Sequence, residues 1–415
     1  MTLRRDPRDA RPPRRPGSPR PTRRLGVSAA VAPTLAAVGL ALVGAISLSL
    51  LGGSIPFFGR GGDGGGGGPI RTPTPSDVVV VDPRAAVPGL IAYVKEGNIW
   101  IQEGDHAAQL TTGGADSTPS FSGDGRFVYF VREESQVGKW RASGIVRTYR
   151  LAVPSIMRVP TDGSAPPETI FTGKVTSGSL TWHMFIRQPR LSPDGKTIAI
   201  MTDGPDPTVS DVDLKFLDLA TRKIRDPHLS ETPPLGHQDP AWSPDGTSIL
   251  YVKDARDLAR GTPAIYRYDL KKGTVAITGP GYLQPSWDPF GQYIAATRTS
   301  SIGTDISILD VKTGAEVLRV TSDEHSFAPA WSPAGDAIAF LRVEGGVVDL
   351  ELARLSGAAG AWVVADTLRM TVAAGLDATS GVAWFIPPEL IPTPVPTIAP
   401  TIAPTPAPTL APAAS

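Results

Sequence analysis

One phrase recurs five times along this chain. It reads PSFSGDGRFVYF from Pro119, PRLSPDGKTIAI from Pro189, PAWSPDGTSILY from Pro240, PSWDPFGQYIAA from Pro285 and PAWSPAGDAIAF from Pro329. Successive copies start 70, 51, 45 and 44 residues apart, so the period settles near 45. A repeat of that length is one supersecondary unit, which cannot bury its apolar face alone and must stack on copies of itself. When the unit consists of short strands, such a period indicates the blades of a β-propeller.

The phrase has the chemistry of a hairpin. Ser-Pro-Asp-Gly follows the order of a type I turn, with Ser first, φ-restricted Pro second and Gly last. An aromatic or large apolar residue precedes it (Phe121, Leu191, Trp242, Trp287, Trp331), and a strand such as Ile198-Ala199-Ile200 or Ile338-Ala339-Phe340 follows. These are the first two strands of a blade. Third strands are expected in VDLKFLDLATRK (212–223), AIYRYDLKKG (264–273) and DISILDVKTG (305–314), and short fourth strands in TVAIT (274–278) and EVLRV (316–320). The ends complete the count. Residues 89–112 supply second, third and fourth strands without a first, and SGVAWFIP (380–387) supplies a first strand and stops. Joined, they make a whole blade. The expected fold is therefore all-β, a six-bladed propeller over 89–387 closed by pairing of N- and C-terminal strands, which leaves no open edge.

The flanks have a different composition. Nine of the 40 Lys and Arg and two of the 40 Asp and Glu lie in residues 1–24, leaving 31 basic against 38 acidic residues elsewhere. A basic tail thus precedes a mildly acidic body, which argues against nucleic acid as partner. Residues 25–51 carry no charge, and the 19 residues from Pro33 to Leu51 suffice to cross a bilayer as a helix. Arginine before this run and little positive charge after it place the N-terminus in the cytoplasm. The expected order is a basic cytoplasmic tail (1–24), a transmembrane signal-anchor (25–52), a Gly/Pro linker (53–88), the propeller outside the membrane (89–387) and a Pro-rich disordered tail (388–415). A cleaved signal peptide is the alternative for 25–52, with Ser47-Leu48-Ser49 as a small-x-small site; Thr22-Arg23-Arg24 is weakly similar to a twin-arginine signal. Both readings export the domain. With no cysteine, disulfides, thiolate metal sites, a cysteine nucleophile and a lipidated-cysteine anchor are all excluded.

The pattern P-x-W-S-P-D-G, then I-A-F/Y, then a third strand ending in D-x-x-x-G, resembles the WD-like propeller repeat of the TolB family over residues 89–387. In TolB the propeller is a periplasmic binding hub within an envelope complex, so the resemblance implies the fold and a protein-binding module in the cell envelope. Where TolB has an α/β domain before its propeller, this sequence has the apolar run and glycine linker. Membership of the Tol system therefore does not carry over.

Motifs for catalysis are missing: there is no G-x-S-x-G, H-E-x-x-H, Walker loop or EF-hand loop. No cofactor is expected. His183, His228, His237 and His325 fall in crossings between blades, where histidines can hold a metal. Some lyases acting on acidic oligosaccharides use a related propeller with histidines around a metal, so a metal-assisted lyase or hydrolase acting on cell-surface glycan is the alternative function. Against it, the histidines lack close spacing and also read as ordinary polar loop residues. Asp203, Asp206, Asp211 and Asp213 cluster in one second-to-third connection; their oxygens suit calcium, but no calcium-loop pattern matches and a solvated acidic loop accounts for them. Two connections are long and read as loops, Arg132 to Pro154 and Gly173 to Gln188, and both fall on the face that carries the crossings. The first carries Trp140, Arg141, Arg147, Tyr149 and Arg150, and the second Trp182, the composition of a binding hot spot; Trp140 and Trp182 are expected to stand near each other, flanked by Arg141 and Arg147. The competing reading is a blade extension whose aromatics pack on one another. The expected function is a non-enzymatic, membrane-anchored interaction or scaffold propeller with a protein partner.

Overall fold

The structure, a computed structural model, describes residues 82–209, 211–229, 236–253, 263–278 and 280–392. The basic tail, the 25–52 segment, most of the linker and the tail beyond residue 392 lie outside the described residues. Among those described, no helix is long and apolar enough to cross a membrane.

The repeat period becomes six antiparallel sheets. The first repeat builds Asp116–Phe121, Phe127–Ala142, Ile145–Pro160 and Glu168–Thr172. The second builds Arg187–Leu191, Thr197–Thr202, Asp213–Asp218 and Ile224–Arg225, and the third His237–Trp242, Ser248–Lys253, Ala264–Asp269 and Gly273–Ala276. The fourth builds Tyr282–Trp287, Tyr293–Thr299, Thr304–Asp310 and Glu316–Arg319, and the fifth Ser326–Trp331, Ala337–Glu344, Val347–Ser356 and Val363–Arg369. The sixth sheet is the expected composite: Ala383–Phe385 pairs with Leu90–Lys95, which continues to Asn98–Glu103 and His106–Gln109. The domain is an all-β six-bladed propeller.

The turn works as its residue types demand. Ser122, Ser192 and Ser243 each donate Oγ to the Asp two residues on at 2.6 Å, and each accepts the backbone N–H five residues on at 3.0 Å. The Gly at the fourth position donates to the Ser carbonyl at 2.9 Å, from a left-handed φ of +67° to +71° that suits glycine. Asp288 replaces the Ser in the fourth repeat and accepts Gln292 and Tyr293 N–H itself.

The core lies between blades. Ala92, Val94 and Ile99 of the composite blade pack with Val128, Phe130 and Met157 of the first repeat, while Ile91 and Tyr93 pack with Leu341, Leu350 and Leu352 of the fifth. The composite blade is thereby held from both sides and the ring closes. Residues 82–88, at the end of the expected linker, join it: Val87 is buried in this core, and Arg84 donates to Met370 O at 3.2 Å.

Candidate functional site

The two enlarged connections are strands, not loops. In other blades the second strand has six to eight residues. In the first repeat Phe127–Ala142 and Ile145–Pro160 have 16 each and stay paired to Ala142↔Ile145. The extra ten or so residues carry the hairpin roughly 30 Å past the strand length of its neighbours. Ser143 and Gly144 turn it, both with positive φ, at 51° and 80°. A two-residue Ser-Gly turn between β-branched and aromatic residues is the sequence signal for this hairpin. The second connection folds as Lys174–Ser177 and Leu180–His183, which extend the same sheet through Lys139↔Thr181.

Gly138 permits that approach. A Cβ there would stand 2.2 Å from Leu151 Cδ1 and 2.8 Å from Thr181 O. Trp140 and Trp182 meet edge to face, 5.6 Å between ring centroids. Trp182 Nε1 donates to Pro205 O at 3.1 Å, and Asp203 accepts Phe185 N–H at 2.9 Å, tying the extension to the second repeat. Burial pushes the Asp203 carboxyl up to about 6, against that hydrogen bond.

Strand alternation sorts the six expected partner-binding residues. Trp140 pairs with Arg147, Gly138 with Tyr149, and opposite residues share a face. Trp140, Arg147, Tyr149 and Trp182 therefore occupy one face, and Arg141 and Arg150 the other. The expectation that Arg141 and Arg147 flank the two tryptophans together is corrected: in a period-two strand pair, 141 and 147 cannot share a side. Both faces are apolar as well as basic. Val137 (62%), Ile145 (61%), Tyr149 (39%) and Trp140 (37%) remain exposed. Among the described residues no carboxylate pairs with Lys139, Arg141, Arg147 or Arg150.

The histidines go to separate places. His237 is wholly buried against the Tyr251 ring at 4.8 Å; its Nδ1 accepts Leu214 N–H at 3.3 Å, and burial, with Lys253 and Lys215 nearby, pushes its pKa down to about 3. His325 and His228 are exposed. His183 is half-buried, edge-on to Phe185, with its pKa lowered by burial. The acidic connection does not converge either. Asp206 caps Thr208, Asp203 holds Phe185, and Asp213 lies near Lys215 and His237. Among the described residues, no three His, Asp or Glu side chains gather as a metal site requires.

The propeller axis holds a cavity of 500 Å³, lined by residues including Arg190, Trp242, Trp287 and Trp331. A feature the phrase did not reveal governs it: the residue before each repeat Pro is left-handed. Thr118, Gln188, Asp239, Gln284 and Ala328 have φ of 50° to 54°, each at a bulge in its strand, and Gly381 holds the corresponding place in the composite blade. Three of them link neighbouring blades: Asp239 N–H donates to Gln188 Oε1, Gln284 N–H to Asp239 Oδ2 and Ala328 N–H to Gln284 Oε1. Burial raises the Asp239 pKa, opposed by the hydrogen bonds from Gln284 N–H and Gln188 and by the charge of Arg190. The amide and carboxylate side chains immediately before three of the five repeat prolines are the signal in the sequence.

The class is thus a closed six-bladed β-propeller with one blade drawn out into a hairpin. Its residues 169–366 match the family described as the TolB beta propeller domain. Among solved structures, TolB from Acinetobacter baumannii is 19% identical with a TM-score of 0.49; the match covers 71% of this chain and 66% of that one. A candidate TolB from Agrobacterium tumefaciens is 17% identical with a TM-score of 0.48, covering 72% and 98%. An oligogalacturonate lyase from Vibrio parahaemolyticus is 14% identical with a TM-score of 0.39, covering 66% and 93%. At these identities the likeness extends to fold alone.

Proposed function

We propose that this chain is a membrane-anchored, extracytoplasmic interaction module and that a protein partner of the cell envelope docks on the extended hairpin. The observation that carries the proposal is the hairpin itself, with apolar side chains exposed near its tip beside four cations that have no acidic partner among the described residues. Exposed apolar area of this kind marks a surface that something covers, and aromatic residues with Arg are the usual anchors of a protein interface. The placement outside the membrane rests on the uncharged 25–51 run after nine arginines. Crosslinking in intact cells followed by capture of the full chain tests the reading. A discrete envelope protein, lost when Arg147 and Arg150 are replaced by Glu, is the expected result; capture of none defeats it.

A further inference from the structure

The strand Ile145–Pro160 is paired along its length with Phe127–Ala142, but Glu168–Thr172 covers its other side only from Ser155 to Arg158. On that outer side Gly173 N–H donates to Pro154 O at 2.7 Å. This fixes the parity. In an antiparallel strand, alternate residues direct both backbone groups the same way, so Ala152, Arg150, Thr148 and Val146 also turn N–H and C=O outward. All four are exposed, and among the described residues none of these outward groups has a backbone partner. An open run of this kind is a template for another strand.

Charge narrows the occupant. Arg147 lies on one face of the edge and Arg150 on the other, with Arg141 and Lys139 across the hairpin. A second copy pairing through the same edge would gather both copies' Arg147 and Arg150, with Lys139 and Arg141 behind them, along one seam of like charge, which opposes it. Resting on the reading of the hairpin as the docking surface, we propose that edge 146–152 takes up an extended, acidic segment of the partner protein as an added strand. The segment's backbone meets the outward N–H and C=O groups, and its carboxylates meet Arg147 and Arg150.

The probe is a synthetic peptide repeating Glu-Glu-Val-Val, which as a strand sets carboxylates on both faces, titrated into the full-length chain. Binding is expected, weaker by about tenfold or more with Lys in place of Glu, and lost when alternate amides are N-methylated. Thr148→Pro deletes one outward N–H without touching the pairing to Phe127–Ala142, since proline is tolerated where the N–H is unused. It is expected to weaken binding about tenfold or more at unchanged melting temperature. Exchanging Arg147 and Arg150 for Glu should invert the preference toward the Lys peptide. Equal binding of the methylated peptide overturns the proposal, whatever the folding of the Thr148→Pro variant. So does a dimer of the full chain that Thr148→Pro dissolves, or binding to phosphatidylglycerol vesicles with none to the acidic peptide. Capture of an envelope protein that survives Thr148→Pro defeats strand addition alone, whereas capture of none by the natural chain defeats the interaction reading beneath it.

Discussion

Gln188 holds Asp239 of the next blade twice: its Nε2 donates to Oδ1 at 2.6 Å, and its Oε1 accepts the Asp239 N–H at 2.8 Å. Asp239 passes the arrangement on to the Gln284 N–H at 3.1 Å, and Gln284 to the Ala328 N–H at 2.9 Å. Each of these residues is in a left-handed conformation that costs a non-glycine residue about 1–2 kcal/mol, so the inter-blade hydrogen bonds offset local strain.

Replacing Asp239 by Ala leaves the Gln284 N–H and the Gln188 amide without an acceptor. A loss of about 2–4 kcal/mol is expected, from two stranded donors at about 1–2 kcal/mol each, read from urea denaturation. Gln188→Ala should lose a similar amount, and the double variant less than the sum because the two share one contact.

His237 should give the domain an acid-sensitive stability. The neutral ring is the folded form, held down to about 3 chiefly by burial. In the unfolded chain it titrates near 6.5. Stability from the neutral form is thus full above about pH 6.5 and is lost as pH falls toward 3. Thermal melts should drop more steeply between about pH 6.5 and 4 than those of His237→Asn, whose Oδ1 can accept the Leu214 N–H in place of Nδ1. Parallel curves would exclude this assignment.

Gly138→Ala places a methyl against Leu151 and the Thr181 carbonyl. The expected outcome is displacement of Leu180–His183 from the hairpin, separation of Trp140 from Trp182 and a local cost of about 1–3 kcal/mol. Tryptophan fluorescence should shift while the global melt moves little.

Closure depends on three residue pairs, Leu90↔Phe385, Ile91↔Trp384 and Ala92↔Ala383, with Trp384 Nε1 donating to Pro88 O at 3.1 Å. Trp384→Ala removes that bond and a half-buried ring. It should cost about 3 kcal/mol and expose the edge of Leu90–Lys95, visible as a lower melting temperature with aggregation. A variant that melts like the natural chain would contradict the composite blade.

The repeat made the blades legible because turn chemistry and strand alternation are local: Ser192-Pro193-Asp194-Gly195 announces its own hairpin. The split blade was legible because 89–112 lacks a first strand and 380–387 supplies one. The drawn-out hairpin was not, although Ser143-Gly144 marks its turn; in 145–150 apolar residues and arginines share both faces, so no apolar/polar alternation betrays the strand. Reading that stretch as loop also hid the alternation that sends Arg141 and Arg147 to opposite sides. The inter-blade links at Gln188, Asp239 and Gln284 depend on bulges that bring residues some 50 apart in sequence together, which no local pattern specifies.

The central claim, that the hairpin is the docking surface, is tested most directly by site-specific photocrosslinking of the full-length chain in cells. A benzophenone side chain in place of Tyr149, exposed on the hairpin, is compared with one in place of Val275, exposed on the rim of the third repeat. A discrete crosslinked envelope protein from position 149, absent from position 275 and diminished by Arg147→Glu with Arg150→Glu, is the predicted result. Crosslinks from 275 alone, or from neither position, would contradict it.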